Sequence, residues 1–194
     1  MSPAAAPALA VGVPTALTAY LHDACRLPLE AFTPLPGAAL PAPARALLDH
    51  ARDMTSTLAD YHGSPLRVEV LQSHRPPGTD LYLREVFLRT APAGQLVEYG
   101  VLAVALSAFT APQRDAIASG RAPLGALLHE FRLPFLSSPL GFFAASPTDL
   151  AATPLAAAVS PTTACPGRLN RLYLPSGLTL AWILEILPPT SPRP

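Results

Sequence analysis

Proline fixes its own φ angle and lacks a backbone N–H, so it ends helices and stays out of central strands. This chain carries 25 prolines among 194 residues. The stretches between them are therefore the only places where long regular elements can form. The longest, Ala44 to Ser64, sets Leu47, Ala51, Met54, Leu58 and Tyr61 three and four residues apart. That spacing makes one face of a helix, and Gly63 stands where its C-terminal cap belongs.

Strand patterns follow. In Leu66–Ser73, Leu66, Val68 and Val70 alternate with Arg67, Glu69 and Leu71, and Leu81–Thr90 is rich in branched and aromatic residues. Gln95–Leu106 is a third such run, and short connections pair the three most simply as an antiparallel meander. Ala111–Ser119 reads as a helix opened by Thr110, with Pro112 in its first turn, and Leu124–Phe131 as another behind Pro123. From Pro134 to Pro166 the text turns to Ala, Pro, Ser and Thr. Gly141-Phe142-Phe143 there predicts one strand followed by a long loop or flap. Arg168–Leu174 and Leu178–Leu187 flank Pro175-Ser176-Gly177 as a closing hairpin.

The expected fold is α+β, one antiparallel sheet of about six strands with helices packed on it, as a single domain over residues 1–194. Residues 1–43 are expected to form an N-terminal arm holding at most a short helix, and residues 188–194 a loose tail.

Half of the residues are hydrophobic and 13% are charged, a balance that collapses rather than staying solvated. The net charge is zero and every basic residue is Arg. A neutral chain without lysine argues against a nucleic-acid or anionic-membrane partner. It also excludes Schiff-base chemistry and a lysine-bearing phosphate loop. Two cysteines, Cys25 and Cys165, provide no disulfide framework, so a reducing, cytoplasmic setting is expected. Met1–Pro14 lacks a basic leader region, and no apolar run is long enough to span a bilayer. The G-x-G-x-x-G, G-x-S-x-G and H-E-x-x-H patterns are missing, and His22 with Cys25 lacks further metal ligands nearby. Neither a metal nor an organic cofactor is expected.

With charge so sparse, two residues stand out. Arg84 lies among Leu81, Tyr82, Leu83, Val86, Phe87 and Leu88. Glu185 lies in LTLAWILEIL, with no other charge between Arg171 and Arg193. A charge buried without a partner is costly, so each needs a counter-group from the protein or from a ligand. One reading pairs Arg84 with a neighbouring Glu, or turns Glu185 outward at a sheet edge. The other encloses a pocket with Arg84 for a carboxylate and Glu185 for a hydroxyl or proton.

Five segments resemble the chorismate pyruvate-lyase family over residues 46–188. They are Arg52-Asp53-Met54-Thr55, Tyr82-Leu83-Arg84-Glu85-Val86, Glu98-Tyr99-Gly100, Pro123-Leu124-Gly125-Ala126-Leu127-Leu128, and Gly167-Arg168 with Leu180–Glu185. The chain departs from the pattern at Val101, where the well-known enzymes have a second Arg, and in the long Pro134–Pro166 segment.

The resemblance implies cofactor-independent elimination of pyruvate from chorismate, giving 4-hydroxybenzoate for quinone or secondary metabolism. It casts Arg84 as holder of the ring carboxylate, Glu185 as acid/base, and Met54, Gly100, Leu124 and Gly125 as substrate- and product-binding positions. A monomer with small-molecule partners, no nucleic acid and no membrane, is expected. Two alternatives stand beside it. One is a non-catalytic binding protein or sensor of the same fold for an aromatic acid, since residues 1–43 are too short and uncharged for a winged-helix DNA-binding domain. The other is a lyase for a related chorismate-derived substrate.

Overall fold

The structure is a computed structural model that describes Leu9 and residues 12–189. Its centre is the expected meander. Strands β2 (Leu66–His74), β3 (Leu81–Thr90) and β4 (Leu96–Ala105) pair antiparallel in sequence order. The closing hairpin is also present, as β6 (Cys165–Tyr173) and β7 (Thr179–Ile186). β7 pairs with β4 and so joins hairpin to meander.

The single sheet has seven strands, one more than the prolines suggested. β5 (Leu136–Ala145) pairs with β6, and β1 (Thr33–Leu35) pairs with β5 at the edge. β1 is illegible locally because Pro34 sits at its middle. An edge strand tolerates proline, since only one side of it must donate to a ladder.

The helix read across Ala44–Gly63 is two helices. α2 (Ala42–Leu48) stops before the segment 49–53, and α3 (Met54–His62) restarts with Asp53 as its N-cap, accepting from the Ser56 N–H at 2.8 Å. A capping carboxylate competes with helix continuation, because its oxygen satisfies a free N–H of the new first turn. α4 (Ala111–Ala118) opens with the Gln113 side chain accepting from the Thr110 N–H at 2.9 Å, and α5 (Leu124–Glu130) follows Pro123. The possible short helix of the N-terminal arm is present. α1 (Thr15–Asp23) buries Leu17, Tyr20 and Leu21 against the sheet core. Of the expected loose tail, 188–194, residues 190–194 lie outside the described part of the chain, while Pro188 is buried and Pro189 exposed.

Strand alternation divides the core in two. Leu83, Phe87, Tyr99 and Val101 face one apolar layer beneath α1. Tyr82, Val86, Leu102 and Leu180 face the other, beneath α4 and α5. The Pro134–Pro166 segment continues after β5 as α6 (Pro147–Leu150) and a short helical turn at Pro154–Ala158. It buries Leu150 and Leu155 in the α1 layer. It is therefore not a flap over the Arg84 face. Among the described residues, no helix is long and apolar enough to cross a membrane.

Candidate functional site

Arg84, Glu98 and Glu185 stand on three neighbouring strands, β3, β4 and β7, and turn toward the same cleft. Register explains this. Val86 is opposite Gly100, and Gly100 is opposite Glu185, so these positions share one face of the sheet. Arg84 and Glu98 lie two residues away along their strands, on that same face. The start of α3 (Asp53, Met54, Thr55) and the start of α5 (Pro123, Leu124, Gly125) close the space from above. The break between α2 and α3 is what brings Asp53 and Met54 there.

The enclosed part of the cleft has a volume of about 40 Å³. That is enough for about three waters, so the enclosed part is narrow. It suits a small, flat molecule rather than a nucleotide-sized cofactor. Among the described residues, no group of three or more His, Cys, Asp and Glu is placed to hold a metal ion.

Arg84 has 1% of its surface exposed. Among the described residues its only hydrogen bond is a long one, Nη1 to the Ile117 carbonyl at 3.4 Å, its Nε has no partner, and no carboxylate pairs with it. Glu85, its sequence neighbour, points to the opposite face and accepts from Tyr99 and Gln72. Burial lowers the Arg84 pKa, with nearby Tyr82 acting the other way.

Glu185 is equally buried but paired. It accepts from Arg168 Nε, while Arg168 Nη1 donates to the Leu48 carbonyl at 2.7 Å and to that of His50 at 3.3 Å. These carbonyls are free because the chain leaves helical geometry between α2 and α3. The interruption thus supplies two acceptors to a buried cation whose Nη2 has no hydrogen-bond partner.

Glu98 is 3% exposed, and its Oε2 has no hydrogen-bond partner. Burial, the charge of Glu185 and that of Asp53 push its carboxyl well above the ordinary range, with Arg168 opposing. Burial also raises Glu185, but the Arg168 guanidinium lies directly on it and counteracts the rise. Of the two carboxyls, Glu98 is the one whose ionised form is disfavoured more, because no guanidinium lies directly on it.

Asp53 differs again. Burial works against its charge, but the Ser56 N–H and His129, at 2.9 Å, outweigh burial and hold the carboxyl below its ordinary range. At the cleft mouth it is an ionised cap.

Of the positions expected from sequence, Met54, Arg84, Leu124, Gly125 and Glu185 all border this cleft. Gly100 underlies it instead: a Cβ there would stand 3.1 Å from Glu98 Oε1 and 3.3 Å from Val86 Cγ2. The space left by the missing side chain is taken by the Glu98 carboxyl. Val101 is buried in the opposite layer, so this departure from the family pattern leaves the charge of the cleft unchanged. Glu98 and Arg168 were not singled out as site residues from sequence, although alternation from Gly100 puts Glu98 on the ligand face.

No family model and no curated protein sequence matches the chain. Solved structures do. The Staphylococcus aureus gene product SA0254 aligns at 12% identity and a TM-score of 0.50, over 72% of this chain and 90% of that one. PhnF from Mycobacterium smegmatis aligns at 10% identity and a TM-score of 0.49, over 70% of this chain and 63% of that one, less than two thirds of PhnF. A ligand-binding domain from Bordetella bronchiseptica, described as that of a GntR-family transcriptional regulator, aligns at 16% identity and a TM-score of 0.42, over 63% and 85%. The likeness is one of fold. It is the chorismate lyase-like architecture, one antiparallel sheet with helices packed on it.

Proposed function

We propose that this chain binds a small ring carboxylate of the 4-hydroxybenzoate class, its carboxylate on the Arg84 guanidinium. One observation carries this reading: Arg84 is a buried cation without an anion, on the wall of a narrow cleft. An uncompensated buried charge costs several kcal/mol. A carboxylate offsets that cost and accepts two parallel hydrogen bonds from the fork of the guanidinium. Met54 and Leu124 supply apolar surface for a ring, and the carboxyl groups of Glu98 and Glu185 supply polar partners for its far end. Thermal denaturation with and without millimolar 4-hydroxybenzoate tests the reading. Ligand-dependent stabilisation supports it, and an unchanged midpoint refutes it.

A second reading adds turnover, and the pair of carboxyls favours it. One buried acid and one buried carboxylate beside a bound ring are the equipment for moving a proton. For chorismate, a base takes the proton from the ring carbon that bears the hydroxyl. The ring–ether C–O bond breaks, its electron pair leaves with the enolpyruvyl oxygen, and that enolate gains a proton to become pyruvate. The ring is left as 4-hydroxybenzoate. Glu185 would be the acid/base and Arg84 the ring-carboxylate holder, so Glu185→Gln would stop turnover. Incubation with chorismate, followed by chromatography for 4-hydroxybenzoate and pyruvate, separates the two. Product formation makes the chain a lyase; stabilisation without product makes it a binding protein or sensor.

A further inference from the structure

We propose that the cleft selects a ligand with a single negative charge, whose end remote from Arg84 accepts a hydrogen bond from the Glu98 carboxyl group. This rests on the reading that Arg84 holds a ligand carboxylate.

Four elements bring ionisable groups toward Glu98: Arg84 from β3, Arg168 from β6, Glu185 from β7 and Asp53 from the start of α3. Arg168 gives its Nε to Glu185 and its Nη1 to two backbone carbonyls; its Nη2 has no hydrogen-bond partner, but its charge is answered by Glu185. Asp53 is balanced where it stands, by the N-terminal turn of α3 and by His129. Glu98 is left with no cation of its own, on the strand next to a second carboxylate and almost wholly buried. A carboxyl in that position stays neutral and carries an O–H. Its Oε2 has no acceptor within the protein, so that O–H is free for a ligand.

Among the described residues, the neutral acid leaves Arg84 as the one uncompensated charge on the cleft wall. A monocarboxylate neutralises it. A second anionic group at the far end of the same ring would sit among Glu98, Glu185 and Asp53, in a site too narrow for a hydration shell. The cleft then discriminates by charge more than by shape, and a doubly charged acid such as chorismate fits it less well than its singly charged product.

The test compares two ligands of nearly identical shape by calorimetry on the wild type. 4-Carbamoylbenzoate carries one charge and terephthalate carries two. At neutral pH the amide is expected to bind at least about tenfold more tightly, about 1.4 kcal/mol. Two variants probe Glu98 itself. Glu98→Gln keeps a donor and should hold 4-hydroxybenzoate within about threefold, whereas Glu98→Leu removes it and should weaken binding about tenfold. Equal binding or equal rejection of the two acids overturns charge selection. Wild-type affinity in Glu98→Leu overturns the donor role. If 4-hydroxybenzoate fails to bind the wild type at all, the Arg84 reading itself falls, and this inference falls with it.

Discussion

Arg84 and Glu185 look into one cleft from the two strands that flank β4, yet only Glu185 brings its own counter-ion. The two charges do not neutralise each other. Glu185 is held by Arg168, its cross-strand neighbour on β6, which leaves Arg84 free to attract an anion from outside.

Such an arrangement trades stability for function. Arg84→Met replaces an unpaired buried cation with an apolar chain of similar length, so the ligand-free protein should gain stability, by about 1–3 kcal/mol. Urea denaturation measures it. A loss of stability would mean that Arg84 is compensated within the fold.

The opposite sign is expected at Arg168. Its removal strands Glu185 as a lone buried carboxylate and leaves the Leu48 and His50 carbonyls without their donor. Arg168→Met should cost about 3–5 kcal/mol. Arg168→Met/Glu185→Met should recover much of that, because both charges go together. Urea denaturation of the single and double variants gives the coupling between them.

Gly125 is a steric keystone between the two helix starts. A Cβ there would lie 2.6 Å from Asp53 Oδ1 and 2.8 Å from Thr55 Oγ1. Gly125→Ala should displace the Asp53 cap and cost about 1–3 kcal/mol. In an Asp53→Ala background the same substitution should cost less, since the group it strikes has gone. A double-mutant cycle by thermal denaturation checks this.

His50 gives the fold a pH dependence. Its Nε2 donates to the Leu47 carbonyl at 2.7 Å and its Nδ1 accepts from the Arg52 N–H at 3.2 Å, a pattern only the neutral ring can make. Burial, then the nearby Arg168, lowers its pKa from the ordinary 6.5. Below 6.5 the unfolded chain binds a proton that the folded chain refuses, so this contribution fades as pH falls. The thermal midpoint should drop between pH 7.5 and 5.5, and His50→Gln should flatten that slope. An unchanged slope would clear His50 of the effect.

How far the sequence disclosed this can be followed residue by residue. Strands β2, β3 and β4 were legible because alternation and proline-free length agreed. Arg84 stood out because a lone charge in an apolar strand demands a partner. The two-helix form of residues 42–62 was hidden, because Leu47, Ala51, Met54 and Leu58 keep helical spacing straight through the break. Only the capping geometry of Asp53 and the pull of Arg168 on freed carbonyls decide against one helix. The partner of Glu185 was hidden by a single residue. Counting back from the turn centre at Ser176 sets Arg168 opposite Leu184. A register shift between Leu172 and Tyr173 moves it opposite Glu185. Such a bulge depends on tertiary packing and leaves no local mark. β1 and the packing of α1 were unreadable for the same reason, their contacts being made far away in sequence.

Arg84 waits for a carboxylate, and isothermal titration calorimetry of 4-hydroxybenzoate into the wild type and into folded Arg84→Met tests this. A single saturable site is expected in the wild type, with at least about a tenfold loss of affinity in the variant, as for a charge-assisted hydrogen bond of about 1.5–3 kcal/mol. No heat of binding in the wild type, or equal affinity in both proteins, would contradict it.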